Sequence, residues 1–141
     1  MSLPSTEDIV NDLSFFDDWE DKYQYIIDLG KSLPPFEAAW RTPERFVKDC
    51  QSSVWIQHGS EQDAEKGAIL TFAVDSDAII VRGLLGLVLT AVANKAPQEI
   101  LDFDMTGYFE ELDLERHLSL TRGNGLRSIV RRIQHIAQSA A

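Results

Sequence analysis

Cys50 is the single cysteine among the 141 residues, and its thiolate form would be a strong nucleophile. Polar residues surround it on both sides, and the apolar residues Val54 and Ile56 follow shortly after. Polar flanks are typical of a surface loop, whereas an inert cysteine is usually surrounded by core residues. The sequence therefore predicts a thiol held on a loop at the start of a strand, in a position to react.

A cysteine enzyme that works alone needs a base beside its thiol, and the chain offers three histidines, His58, His117 and His135. His58 follows Cys50 by eight residues. If the intervening residues are extended at about 3.3 Å each, this imidazole lies roughly 20 Å or more from the thiol and cannot serve as its base. His117 and His135 could approach Cys50 only through tertiary folding, which their spacing does not determine.

Other motifs for catalysis or metal binding are absent from the sequence. It contains no Gly-rich phosphate loop, no HExxH and no GxSxG, and the glycine-rich stretch 121–126 fits a helix start better than an anion site. A single cysteine excludes zinc sites of the Cys₄ and Cys₂His₂ types. No lysine lies in a recognisable cofactor motif, so we expect neither a metal nor a bound pyridoxal phosphate.

The overall charge narrows the class of partner. Thirteen Lys and Arg stand against 23 Asp and Glu, giving a net charge of −10. This balance argues against binding to nucleic acid phosphates or anionic lipid and favours a protein or a small molecule. Eight acids lie within residues 1–30, and four arginines without an acid lie within 121–141. These clusters predict either two helix faces that attract each other or an electrostatic docking surface.

The cellular location is expected to be the cytoplasm. A lone thiol suits a reducing compartment, and the N-terminus shows neither the basic nor the apolar region of a secretory signal. The most apolar run, residues 83–93, has eleven residues. About 20 are needed to cross a bilayer, so no membrane span is expected.

Hydrophobic spacing predicts the elements that would position Cys50. Two strands of period two, at 53–57 and 69–74, are expected to form a hairpin around a polar loop at 59–67, with Phe46 and Val47 as a candidate third strand. The composition of 44% apolar and 26% charged residues is that of one globular domain over 1–141. We therefore predict an α+β fold in which a small antiparallel sheet of two or three strands packs against several helices.

Helical periodicity predicts six helices around this sheet. Gly30 is expected to end the second helix in a left-handed conformation, and Ser76 or Asp77 to cap a central helix that is apolar all round and therefore buried. The predicted ranges are 5–13, 17–29, a helix after 77, 96–102, 109–112 and a final amphipathic helix after 123–125.

Four stretches of the sequence, in this order and spacing, are similar to the SufE/CsdE family of sulfur acceptors. The resemblance covers nearly the whole chain. It implies the fold of that family, which is similar to the iron–sulfur scaffold proteins. The stretches are residues 19–30, residues 50–55, residues 75–78 with 82–84, and residues 117–119 with Arg122, Asn124, Gly125 and Leu126.

The resemblance implies a persulfide carrier that stimulates a cysteine desulfurase of the SufS or CsdA type and passes sulfur to a downstream scaffold. Cys50 would take the sulfur by exchange chemistry, and Arg122 is the candidate cation for stabilising its thiolate or persulfide. Such a chain has no independent turnover and needs no cofactor. The resemblance leaves open which desulfurase is the partner and whether the chain forms a homodimer.

This sequence departs from the family pattern at three positions. Asp49 stands where the family usually has glycine, Leu120 where it has proline, and Gly123 where it has serine. A carboxylate next to the thiol disfavours the thiolate. The residues are also compatible with two other functions. One is a stand-alone cysteine-nucleophile hydrolase or peroxidase, and the other is an adaptor in which Cys50 is inert.

Overall fold

A computed structural model describes residues 3–47, 53–114, 118 and 120–140, with side chains from residue 125 onward in the last helix. Within these ranges, two antiparallel strands and six helices confirm the predicted α+β class. None of the described helices is long and apolar enough to cross a membrane. The elements are α1 (Thr6–Ser14), α2 (Trp19–Lys31), a 3₁₀ turn (Ala38–Trp40), β1 (Val54–Asp63), β2 (Gly67–Ser76), α3 (Ile79–Val92), α4 (Pro97–Asp102), α5 (Met105–Glu111) and α6 (Leu120–Ala140).

The two strands form a longer hairpin than the sequence predicts. They pair from Val54 with Ser76 to Asp63 with Gly67, so the predicted loop at 59–67 is wrong and only residues 64–66 connect the strands. The Asp63 carboxylate accepts hydrogen bonds from the backbone N–H groups of Glu65 at 2.8 Å and Lys66 at 3.1 Å, which closes this tight connection. These two bonds also lower the pKa of Asp63.

The candidate third strand is reduced to one bridge. Phe46 pairs with Trp55 as an isolated antiparallel bridge, and the Val47 N–H donates to the Val54 carbonyl at 2.9 Å. The sheet of the described chain therefore has two strands, with a short stretch of the preceding chain paired to the start of β1. Since β1 begins here, this pairing fixes the end of the hairpin nearest to residues 48–52.

The central helix α3 is buried from Gly83 to Val92, but its first turn is not. Ile79 is 62% exposed, so the prediction that α3 is buried on all sides is wrong at its N-terminus. Neither predicted cap holds: Ala78 is the N-cap and makes no side-chain capping bond. The Ser76 hydroxyl instead accepts from the Ala78 N–H, which pins the turn between β2 and α3.

Helices α2 and α3 pack backbone against backbone, which explains Gly30. The predicted left-handed stop is wrong, because α2 continues through this residue to Lys31. A Cβ at Gly30 would lie 2.6 Å from the Gly83 nitrogen, and a Cβ at Gly83 would lie 2.4 Å from the Ile26 carbonyl oxygen. Both glycines are therefore required by close approach of the two helices.

Two further helix boundaries differ from the prediction. α5 begins at Met105 rather than near 109, because the Asp104 carboxylate accepts from the Gly107 N–H and caps it. α6 begins at Leu120, before the glycines at 123 and 125 that were expected to precede it. The predicted apolar face of α6 is confirmed by the burial of Leu126, Ile129, Ile133 and Ala137.

Candidate functional site

The described structure gives the surroundings of the predicted cysteine segment. Cys50 and His117 lie outside the described residues, as does the side chain of Arg122. What is described are the points where the chain enters and leaves residues 48–52. We call these flanking residues, 46–47 and 53–55, the hairpin base.

The entry side of the hairpin base is packed and hydrogen-bonded. Val47 is 3% exposed, and its N–H donates to the Val54 carbonyl. The rings of Phe46 and Trp55 meet edge to face with centroids 5.8 Å apart. A buried side chain, a backbone hydrogen bond and an aromatic pair thus hold the last described residue before the cysteine segment.

The exit side is held by the turn that leads into α3. The Ser53 N–H donates to Oδ1 of Asp77 at 3.1 Å, and the Asp77 N–H donates to the Ser53 carbonyl at 3.4 Å. Asp77 therefore binds the chain where the sequence analysis expects a helix cap. Since Val47 also bonds to Val54, both ends of residues 48–52 start from fixed, adjacent points on the hairpin.

A buried carboxylate lies next to the hairpin base, between two arginines. Asp75 is 6% exposed, and its Oδ2 accepts from Arg41 Nε at 3.0 Å and Nη2 at 2.5 Å. Arg82 Nε lies 3.7 Å from Oδ1 of Asp75 and has no hydrogen-bond partner among the described residues. The Arg41 guanidinium also lies over the Trp55 ring, 5.6 Å from its centroid. This cluster joins the chain after the 3₁₀ turn to β2 and α3 and carries one excess positive charge.

A second basic group surrounds His58 on β1. Arg45 Nε donates to Oε1 of Gln57, and Arg45 Nη1 donates to the Thr42 hydroxyl at 3.0 Å. Burial, followed by the charges of Arg132 and Arg45, lowers the pKa of His58 below its usual 6.5. The neutral imidazole is therefore favoured, in an environment set by two cations.

The remaining predicted candidates stay apart in the described structure. His58 lies in the extended strand β1, one residue beyond the predicted strand at 53–57, and His135 is exposed on α6. The described residues contain no group of three His, Cys, Asp or Glu side chains able to hold a metal ion. The described histidines thus form no metal cluster with acidic side chains.

The structure brings Arg41, Asp77 and Arg132 to the hairpin base and the chain before it, where sequence reasoning predicted Asp77 only as a helix cap and singled out neither arginine for this place. A signal for Arg132 was available, since it lies three residues after Ile129 and four before Ile136 on the apolar side of α6. A second signal was Asp75, a carboxylate inside a strand of apolar alternation. The groups that hydrogen-bond to these side chains, however, are distant along the chain: Arg41 lies 34 residues from Asp75, and the Phe46 carbonyl lies 86 residues from Arg132.

Comparison with known proteins gives one consistent family. The model of the family described as "SufE: Fe-S metabolism associated domain" matches residues 7–137. An uncharacterized SufE-like protein of Rhizobium meliloti is 43% identical over 136 residues, covering 96% of both chains. An uncharacterized SufE-like protein of Rhizobium etli is 43% identical over 139 residues, covering 99% of this chain and 93% of that protein.

A solved structure also shares the architecture. The solution structure of a hypothetical protein from Thermus thermophilus matches with a TM-score of 0.74 at 17% identity, covering 99% of this chain and 98% of that chain. At this identity the likeness concerns the fold alone. It confirms the predicted fold class over nearly the whole length of the chain.

Proposed function

Because the chain belongs to the SufE family of Fe–S metabolism associated domains, we propose that it accepts sulfur on Cys50 from a pyridoxal-phosphate-dependent cysteine desulfurase of the SufS or CsdA type. The observation that carries the proposal is that the family match, residues 7–137, includes the only cysteine of the chain. A single thiol can carry a sulfur atom, whereas an iron–sulfur cluster is usually held by several cysteines. Residues 1–141 would act as one SufE-like domain.

The proposed step is a thiol–disulfide exchange. The Cys50 thiolate attacks the terminal sulfur of a persulfide on the desulfurase, a new sulfur–sulfur bond forms at Cys50, and the desulfurase cysteine leaves as a thiolate. The sulfur count and the charge balance, and no external oxidant is needed. A downstream thiol on a sulfur-accepting scaffold would remove the sulfur by the same exchange.

The hairpin base supports this role because it anchors both ends of residues 48–52. A reaction between two protein thiols requires that the attacking sulfur be oriented toward its target, and a firm frame lowers the entropic cost of that orientation. Val47 supplies one anchor through Val54, and Asp77 supplies the other through Ser53. The exit anchor Asp77 lies in the turn that leads directly into α3, which is the most buried helix described.

An exposed aliphatic side chain beside the hairpin base supports a protein as the sulfur donor. Ile79 and Phe15 are the two large hydrophobic residues that the described chain exposes. Ile79 follows Asp77 by two residues, at the start of α3. A desulfurase docked at the hairpin base would cover the exposed Ile79 side chain.

Arg122 is our proposed cation for stabilising the Cys50 thiolate or persulfide. An unperturbed thiol has a pKa of about 8.5, so most of it is protonated at neutral pH and a nearby positive charge would increase the reactive fraction. Arg122→Met should then raise the pKa of Cys50, measured from the pH dependence of alkylation by iodoacetamide. An unchanged pH profile would remove Arg122 from the mechanism.

The chain would carry sulfur without independent turnover and would work in the reducing cytoplasm, where its thiol stays free. The test mixes the purified chain with a desulfurase and free cysteine. We expect mass spectrometry to find one added sulfur atom on Cys50 and sulfide release to become faster. Cys50→Ser should remove both effects and leave the circular dichroism spectrum unchanged.

The same experiment separates the competing functions. Full stimulation of the desulfurase by Cys50→Ser would identify an adaptor with an inert thiol. Hydrolase or peroxidase turnover by the chain alone, abolished in Cys50→Ser, would identify a stand-alone enzyme. Either result would contradict the carrier function.

A further inference from the structure

Arg132 ties the last helix to the chain that leads toward Cys50. Its Nη1 donates to the Phe46 carbonyl at 3.3 Å, and its Nη2 donates to the Glu44 carbonyl. These two acceptors lie 86 and 88 residues away in sequence. The planar fork of a guanidinium suits two neighbouring acceptors, which an ammonium group meets less well. We call residues 42–47, which contain both acceptors, the lead-in segment.

The lead-in segment is also fastened to β1, on its other side. The Ile56 N–H donates to the Arg45 carbonyl at 2.9 Å, and the Arg45 side chain donates to Gln57 and Thr42. The lead-in segment is therefore held between β1 and α6. Removing Arg132 would leave the β1 contacts in place and remove two hydrogen bonds between the segment and α6.

Arg132 bonds to backbone carbonyls of the lead-in segment. Within the described part of the chain, its recorded acceptors are backbone carbonyls, and no carboxylate forms an ion pair with it. No described carboxylate therefore lies within ion-pair distance of its charge, and this charge also helps to lower the pKa of His58. An arginine used only to attach a helix could be replaced by a neutral donor, whereas this one also brings positive charge to the lead-in segment.

We propose that Arg132 is a positioning residue for sulfur transfer: it fixes the lead-in segment, and so the point from which residues 48–52 start, relative to α6. This inference rests on the proposed function. The first turn of α6 also contains residue 122. One helix therefore carries both the proposed cation and the arginine that binds the lead-in segment. Sulfur exchange requires three sulfur atoms to align, and small displacements of the attacking thiol reduce the rate strongly.

The test compares Arg132→Met with Arg131→Met in the full chain. Arg131 is exposed on the same helix and donates to its neighbour Ser128, so both variants remove one charge from α6. With a desulfurase and free cysteine, we expect Arg132→Met to lower the maximal transfer rate per titratable thiol about tenfold or more. The desulfurase concentration for half-maximal rate should stay unchanged. Arg131→Met should behave as the unsubstituted chain.

Two further measurements separate positioning from general destabilisation. Arg132→Lys keeps the charge and one donor group, so it should recover part of the lost rate. Amide hydrogen exchange at Val47 should accelerate in Arg132→Met and stay unchanged in Arg131→Met. If Arg132→Met does not fold, Arg132→Gln, which is uncharged and shorter, takes its place with the same expectations.

Equal transfer rates in the Arg132 and Arg131 variants would overturn the inference, and so would unchanged Val47 exchange in Arg132→Met. A reduced rate that Arg132→Lys does not improve at all would also overturn it. If the unsubstituted chain accepts no sulfur, the proposed function itself fails. In that case the Val47 exchange still reports whether Arg132 holds the lead-in segment.

Discussion

Asp77 and Ser53 hold each other by two hydrogen bonds, one from the Ser53 N–H to the Asp77 carboxylate at 3.1 Å and one from the Asp77 N–H to the Ser53 carbonyl at 3.4 Å. Ser53 is the first described residue after the cysteine segment, and Asp77 lies in the turn before α3. The segment thus ends on the same turn that starts the buried helix. The stability of this contact controls how firmly that end is held.

Asp77→Ala should loosen the exit side of the hairpin base. It removes the acceptor for the Ser53 N–H, so we expect the Ser53 amide to exchange faster and the free energy of unfolding to fall by about 0.5–1.5 kcal/mol. Hydrogen exchange with NMR detection and urea unfolding measure these effects. Asp77→Asn keeps an amide oxygen at this position and should show a smaller change in both. Unchanged Ser53 exchange in Asp77→Ala would show that the contact does not hold the chain.

Asp75→Asn should destabilise the protein more than loss of a surface carboxylate. Two guanidiniums would lose their counter-ion, which is 6% exposed. We expect the free energy of unfolding to fall by about 2–3 kcal/mol. This is less than the loss for a fully buried pair, because both arginines are partly exposed. Asp28→Asn is the control, because Asp28 lies 3.9 Å from the exposed Lys31. This substitution should lower the free energy of unfolding by less than about 1 kcal/mol. Equal losses in guanidinium chloride unfolding would contradict the structural role of the cluster.

Gly83→Ala should be among the most damaging small substitutions. The new Cβ would lie 2.4 Å from the backbone carbonyl oxygen of Ile26, so α2 and α3 must separate. We expect the free energy of unfolding to fall by about 3 kcal/mol or more. Gly86→Ala is the matched control on the same helix. Its new Cβ would meet the Leu29 side chain at 3.1 Å, so this side chain rather than a backbone must shift by a few tenths of an ångström, while alanine gains helix propensity. The melting temperature of Gly83→Ala should therefore be well below that of Gly86→Ala. Equal melting temperatures would contradict the close packing of α2 and α3.

His58 should make the protein less stable in mild acid. Its folded pKa is lowered by burial and by Arg132 and Arg45, so the unfolded chain takes up a proton more readily. The stability that depends on neutral His58 is therefore complete above about pH 6.5 and is lost as the pH falls through the folded pKa. NMR titration of the imidazole should give a midpoint below 6.5. Arg132→Met should raise that midpoint, and an unmoved midpoint would contradict the assigned contribution of Arg132.

Local pattern was enough to predict the main elements and the α+β class. The alternation in β1 and β2 and the apolar stripe on α6 follow from the period of each element, which is encoded by neighbouring residues. The nomination of Cys50 required only its uniqueness and its polar flanks, and it stays a prediction. The errors arise where one residue type suits two roles. Glycine at position 30 predicts the end of a helix, but in the structure it lies inside α2, where its lack of a side chain allows Gly83 to approach closely.

The surroundings of the cysteine segment depended on contacts between distant parts of the chain. Asp77 reads locally as a helix cap and instead binds Ser53, 24 residues earlier. Asp75 acquires its two arginines, and Arg132 its two carbonyls, only when the hairpin, α3 and α6 are assembled. Residue spacing carries the period of a helix or strand but not the distance between two elements, because that distance is set by how their side chains pack. The partners that hold the hairpin base therefore emerge only in the folded chain.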